Sequence, residues 1–433
     1  MTTSRYLSAL TNGSPQYCRG SNCSSPDYYY QAFRLLVSTA GSYSFQSIST
    51  FNTYGYIYNN SFNASDPSAN IVVYNDDDAG SSQFLLNISV DTLTKYILVV
   101  TTYSRNVTGP FSIIATGLGG IRFSQISASA IPNIPANAVW AANGETIAGG
   151  HGPGNGSHQL DSPDGLFVDD DQMIVITDVG NHRIVQWNMG DTNGQIVAGG
   201  HGPGNRMYQL NEPTDVLIDK ETDSFIICDS LNQRVVRWSR HKGTSQGEIL
   251  IDNIRCWGLA MDDQRYLYVS DTTNDAVRRY QIGDKNGILI AGGKGKGERF
   301  TQFSDPKYLF VDRQQAVYVS DGSNYRVMKW SKGATEGIVV AGGKGRGDAS
   351  TQLNYPYGLF IDTLGAIYVG DSGNDRVMCW SQDAKQGTII VGGNGRGAGA
   401  NQFYGLGALS YDRQGNLYAV DWKNHRVQRF KIK

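Results

Sequence analysis

The chain repeats itself, and the repeat restricts its architecture more than any other feature. The unit Asp-x-x-Asn-x-Arg-(Val/Ile)-x-x-Trp occurs as Asp178…Asn181…Arg183…Trp187 and again as Asp229…Asn232…Arg234…Trp238. Further copies run Asp321…Asn324…Arg326…Trp330, Asp371…Asn374…Arg376…Trp380 and Asp421…Asn424…Arg426…Phe430, and a divergent one reads Asp271…Asn274…Ala276…Tyr280. Successive aspartates are 51, 42, 50, 50 and 50 residues apart. Around each copy lie four short apolar runs, such as Gly358–Asp362, Ile367–Val369, Arg376–Trp380 and Thr388–Gly392. Four strands in a unit of about 50 residues, present six times, predict a six-bladed β-propeller. A fourth-strand run, Thr146–Gly149, precedes the first complete unit, and only Lys431–Lys433 follow the last third strand. One-plus-three closure is therefore expected, with Thr146–Gly149 pairing beside Arg426–Phe430 and removing an exposed edge.

The composition agrees with an all-β chain: 52 Gly and 25 Tyr suit short strands and tight turns. The formal net charge of −2, with no block of Lys or Arg, argues against a protein whose main partner is nucleic acid or an anionic membrane. No apolar run is long enough to span a bilayer, Tyr96–Val100 being the best.

The composition changes near residue 120. All seven Trp lie at or after Trp140, whereas 12 of the 25 Tyr precede residue 104. From Tyr28 to Gly117 about seven short alternating strands are separated by turn residues, the pattern of a β-sandwich or jelly roll. The expected organisation is a tail over 1–27, a sandwich over 28–118, a linker over 119–143 and the propeller over 144–433. The sandwich segment resembles the pre-peptidase C-terminal (PPC) domain, the resemblance resting on STAGSYSFQS, YGYIY, the acidic turn after Asn75, YILVVTTY and GPFSI. It implies a non-catalytic companion to a secreted module. Asp76, Asp77 and Asp78 supply three hard oxygen donors on one turn. Calcium needs six or more, so the turn is expected to be solvated.

Seven N-glycosylation sequons begin at Asn12, Asn22, Asn59, Asn63, Asn87, Asn106 and Asn155, which points to secretion. The opening MTTSRYLSAL lacks the apolar core of a leader, so export requires a leader missing from this chain. Cys18 and Cys23 are placed to close a small disulfide loop, while Cys228, Cys256 and Cys379 lie in apolar strands and are expected to pack as free side chains.

The repeat resembles the NHL family in Ser162-Pro-Asp-Gly-Leu-Phe-Val-Asp169 and Asn181-His-Arg-Ile184. Repetition argues that its Asp, Asn and Arg are structural, because a catalytic group is needed once and a turn-shaping bond in every blade. Binding residues are expected where the blades differ: Asp164, Thr214, Trp257, Lys307, Tyr357 and Leu406, immediately ahead of the first strands. Blade three lacks the Arg and the Gly-rich loop before it, leaving a notch edged by Arg255 and Trp257, a pairing suited to peptide or sugar.

Two alternatives follow from the resemblance. The peptide-amidating lyases hold zinc with channel histidines; here His151 and His201, in duplicated His-Gly-Pro-Gly-Asn loops, are the candidates, without a third ligand. NHL modules of regulatory ubiquitin ligases bind RNA or protein with a basic face. The loops carrying Lys294, Lys296, Lys344, Arg346 and Arg396 put cations on one sector, but Asp275 and Asp375 dilute it. These loops lack a Gly-Lys-(Ser/Thr) ending and a following helix, so they are not phosphate loops. The expected function is therefore a non-enzymatic, monomeric, secreted or surface-exposed binding protein for a protein, peptide or glycan, with no cofactor.

Overall fold

Alternation builds the N-terminal part: in Gly41–Ser49, Tyr43, Phe45 and Ser47 point inward and the residues between them do not. The computed structural model describes residues 2–11, 14, 16–17, 28–37, 39–59, 68, 70–75, 83–92, 94, 96–126, 134–169, 172–241, 244–412 and 414–433. The chain falls into two units, Met1–Ala130 and Ile131–Lys433. Among the described residues no helix is long and apolar enough to cross a membrane.

In the first unit one antiparallel sheet orders Thr2–Leu10, Gly109–Gly117, Gly41–Ser49 and Leu85–Val90. A second orders Ile121–Ile126, Tyr28–Val37, Tyr96–Thr102, Thr53–Asn59 and Ile71–Asn75, with Gln16–Tyr17 beside Tyr28–Val37. Leu10, Phe45 and Phe111 of the first sheet and Phe33, Ile57 and Leu98 of the second share one apolar core. The structure corrects two boundaries. Thr2–Leu10, expected as tail, pairs along its whole length with Gly109–Gly117, and Ile121–Ile126, expected as linker, pairs with Tyr28–Val37. Cys18, Cys23, Asn12, Asn22, Asn63 and Asp76–Asp78 lie outside the described residues.

Among the described residues the second unit forms six four-stranded antiparallel sheets, numbered in chain order. Sheet one is Pro163–Val168, Ile174–Asp178, Arg183–Trp187 and Gln195–Gly199; sheet two begins at Pro213–Asp219, sheet three at Cys256–Met261, sheet four at Pro306–Val311 and sheet five at Pro356–Ile361. Sheet six takes Leu406–Tyr411, Leu417–Asp421 and Arg426–Phe430 from the end of the chain and Glu145–Gly149 from far upstream. Each first strand touches the next, and Leu406–Tyr411 returns to Pro163–Val168, so the strands form a closed ring. This is a β-propeller.

The repeated polar residues hold the turns and loops. Asp178 Oδ2 accepts from Asn181 Nδ2 at 2.9 Å and Arg183 Nε at 2.7 Å, while Oδ1 accepts the amide of Asp161 at 2.6 Å. Arg183 spends its remaining N–H groups on the carbonyls of Asn155, Gly156 and Gln159 in the glycine-rich loop. The same arrangement recurs at Asp229–Arg234, Asp321–Arg326, Asp371–Arg376 and Asp421–Arg426. An ion pair this buried stabilises only when its remaining donors and acceptors are met, and here the loop carbonyls meet them. Sheet three has no such loop and no such arginine. Its Asp271 keeps the asparagine bond, from Asn274 Nδ2 at 2.7 Å, but its cation is Arg278, at 3.4 Å and a third exposed. Arginine and loop are lost together because each is the other's partner.

Sheet three is secured differently. Cys228, on the second strand of sheet two, forms a disulfide with Cys256, at the start of sheet three, and both are fully buried. The expectation that both pack as free side chains is thus corrected; Cys379 remains free. Cys256 occupies the position that Pro163, Pro213, Pro306 and Pro356 hold elsewhere, each opposite the repeat aspartate. Closing a loop of 28 residues is worth on the order of 3 kcal/mol in the chain-entropy account. Non-reducing peptide mapping should recover a Cys228–Cys256 linked peptide, and Cys228→Ser with Cys256→Ser should lower the unfolding free energy read from urea melts by about that amount. Recovery of both cysteines as free thiols would refute the assignment.

Candidate functional site

Each first strand begins with a register shift. Between Pro163 and Leu166, and at the same place in the other five sheets, the ladder is interrupted. Such bulges re-aim side chains, and here they free two consecutive positions at one end of the ring in five sheets and one, Thr214, in sheet two, where Asp215 already pairs with Cys228. The first of these holds Asp164, Thr214, Trp257, Lys307, Tyr357 and, in sheet six, Gly407. The expectation of Leu406 is corrected by one residue: Leu406 stands opposite Asp421, at the proline position, and is fully buried. Gly407 is required there, because an added Cβ would lie 2.9 Å from the Asp164 carbonyl oxygen.

The second freed position was not singled out in the sequence. It is Gly165, Gly258, Gly358 or Ala408 in four sheets and Tyr308 in sheet four, while Asp215, the matching residue of sheet two, is back in the ladder opposite Cys228. The signal was available by aligning the six copies one residue further.

These side chains converge. Tyr357 donates its hydroxyl to Asp164 Oδ2 at 3.3 Å, and Tyr308 donates to the carbonyl of Thr214 at 3.1 Å. Thr214 Oγ1 donates to the Trp257 carbonyl at 2.8 Å. Asp215 accepts the amides of Val216 and Leu259, tying sheet two to sheet three. The Lys307 ammonium lies 3.5 Å from the centre of the Trp257 ring and 3.0 Å from Asp305 Oδ1. The Tyr357 ring packs between Trp257, at 6.0 Å, and Tyr308, at 5.5 Å. Asp164, Thr214, Asp215, Lys307 and Tyr308 are buried, while Trp257 and Tyr357 are partly open to solvent.

Burial pushes the Asp164 carboxyl up to about 7, and the Lys307 ammonium and the Tyr357 and Tyr308 hydroxyls only partly offset it. Asp215 is raised well above the usual carboxylate range, mainly by burial and further by the charge of Asp164, against the amides of Leu259 and Val216. Burial followed by the Asp164 charge likewise raises Tyr308 and Tyr357. Two neighbouring buried carboxylates, only one of them offset by an ammonium, bind a proton readily. Aromatic faces, hydroxyls and one cation suit recognition of a polar ligand.

The other expected residues lie elsewhere. Arg255 is exposed, its carbonyl accepting from Thr272. His151 and His201 are exposed on their loops; the His151 ring packs on His158 at 5.3 Å and the His201 ring on Tyr208 at 5.5 Å. Among the described residues no group of three or more His, Cys, Asp or Glu is placed to hold a metal ion. Asn59, Asn87, Asn106 and Asn155 are exposed.

No family model matches the chain, and no curated protein matches it. Among solved structures it is similar to a structural-genomics protein of unknown function from Bacteroides thetaiotaomicron, with 15% identity, a TM-score of 0.55, and 88% of this chain and 90% of that one covered. An auxiliary nutrient-binding protein of the same organism shows 14% identity and a TM-score of 0.53 over 68% of this chain and 77% of its own. A gluconolactonase of Xanthomonas campestris shows 13% identity over 70% of this chain and 99% of its own, but its TM-score of 0.47 carries no argument. At such identities the likeness shows the fold alone.

The Asp164 shift has a direct consequence. Its carboxyl is raised above the ordinary 3.8, so its contribution to stability is complete below about pH 4 and is lost as the pH rises through about 7. Asp164→Asn keeps the neutral form at every pH. Urea melts should show the variant gaining on the parent between pH 5 and pH 8, by at most about 3 kcal/mol. A difference that does not change with pH would show that Asp164 titrates normally.

Proposed function

We propose that this chain is a secreted or surface-exposed, non-enzymatic binding protein: a six-bladed NHL propeller over 144–433, closed one-plus-three, preceded by a PPC-like sandwich over 28–118. The propeller holds a protein, peptide or glycan at the mouth of its channel. The observation that carries this reading is the contrast between repeat and exception. Five of the six sheets repeat the same aspartate–arginine bond, whereas the bulge positions gather Asp164, Trp257, Lys307, Tyr308 and Tyr357 into one cluster beside Asp215. A scaffold that repeats everything except the side chains at one opening has its specificity there.

Secretion is supported by the buried Cys228–Cys256 disulfide, which suits an oxidising compartment, and by the exposed sequons at Asn59, Asn87, Asn106 and Asn155. The nutrient-binding protein of similar fold is in keeping with a binding role. An enzymatic reading would rest on the Asp164 carboxyl, which is raised toward neutrality as a general acid requires.

Glycan and peptide arrays probed with the full chain should give a defined set of hits. Trp257→Ala and Lys307→Gln should each reduce them at least tenfold while the melting temperature stays within a few degrees. Retention of the hits by both variants would remove the channel mouth from consideration.

A further inference from the structure

The repeat provides an internal control for finding other exceptions, and sheet six holds one far from the bulge positions. Where sheets one, two, four and five have Asp161, Asn211, Ser304 and Asn354, all donating their amide to the repeat aspartate, sheet six has Tyr404. The one-turn helix after that aspartate begins Val179-Gly180, Ser230-Leu231, Gly322-Ser323 and Ser372-Gly373, but Trp422-Lys423 in sheet six.

These departures belong together. The Lys423 ammonium lies 4.7 Å from the centre of the Tyr404 ring and 4.8 Å from that of Trp422, and the Arg396 guanidinium lies 4.9 Å from Tyr404. Arg396 Nε also donates to Asp375 Oδ2 at 2.9 Å, which fixes its direction while the side chain stays half exposed. The backbone has adapted as well. Gly405, at φ +77°, replaces the larger residues of the other sheets, and an added Cβ would overlap Trp422 Nε1. Tryptophan and glycine are therefore matched.

We propose that this patch is a second binding site, for a sulfated or uronate-bearing glycan. Cations stacked on aromatic rings are held in place before a ligand arrives, so less side-chain freedom is lost on binding. The cations continue beyond the patch: Lys344 and Arg346 on the loop of sheet five and Lys294 and Lys296 on that of sheet four are exposed on consecutive sheets. Three loops, 292–303, 342–353 and 392–403, carry six cations against two carboxylates in a chain whose net charge is −2. Such a run along a rim matches the repeating charge of an acidic polysaccharide. A glycan is favoured over a nucleic acid because the buried disulfide and the exposed sequons support the secreted location proposed above, on which this choice of ligand rests. The inference does not depend on the channel mouth.

The test is titration of the full chain with heparin, dextran sulfate, uncharged dextran and single-stranded RNA, followed by tryptophan fluorescence and repeated at rising salt. Heparin and dextran sulfate should bind, dextran should not, and affinity should fall with salt. Arg396→Gln with Lys423→Gln should weaken heparin binding at least tenfold, and Lys344→Gln with Lys423→Gln, which leaves the bond to Asp375 intact, should weaken it severalfold. Trp257→Ala should leave it unchanged. No heparin binding, binding by both double variants as tight as the parent's, or tighter binding of RNA than of heparin would each overturn the proposal.

Discussion

The propeller depends on a buried ion pair that is never left alone. In five sheets the arginine bonds the aspartate through Nε and turns its other N–H groups to the carbonyls of a loop that has no regular structure of its own. Burial raises these aspartates, yet each also accepts an asparagine side chain and a backbone amide. The desolvation cost is met only because every partner is present at once. The pair therefore does more than brace a turn. It converts a flexible glycine-rich segment into a fixed surface.

Sheet three shows what happens when one member is removed. Without the loop an arginine would face no carbonyls, and Ala276 stands in its place. The register at that junction is kept instead by the Cys228–Cys256 bond and by Asp215, which reaches across to the amide of Leu259. The site and the scaffold meet here, because Trp257 follows the disulfide cysteine directly. The divergence of this sheet is the replacement of one fastening by another.

Much of this was legible in the sequence. The repeat aspartates, the strand runs and the pairing of the 146–149 segment near Arg426 follow from spacing, because a period of about 50 residues constrains every copy equally. The disulfide was not legible: Cys228 and Cys256 sit in apolar runs, and only the packing of neighbouring sheets brings them together. Leu406 was misplaced because sheet six lacks the proline that marks the position in sheets one, two, four and five, so Gly407 looked like part of the strand. Asp215 and Tyr308 were passed over because they stand one residue beyond the positions immediately ahead of the first strands. Thr2–Leu10 was missed because its inward side offers only Tyr6 and Leu10 as large apolar groups.

The central claim is that each arginine fixes its own loop, and hydrogen exchange tests it most directly. In the loop of sheet five the amide of Gln352 donates to the Ala349 carbonyl, an acceptor that Arg376 also bonds. Exchange over 342–353 should be slow in the parent and fast in Arg376→Ala, while the loops at 292–303 and 392–403 keep their protection. Unchanged exchange over 342–353 in the variant would contradict the account, because the loop would then be held by something other than the arginine.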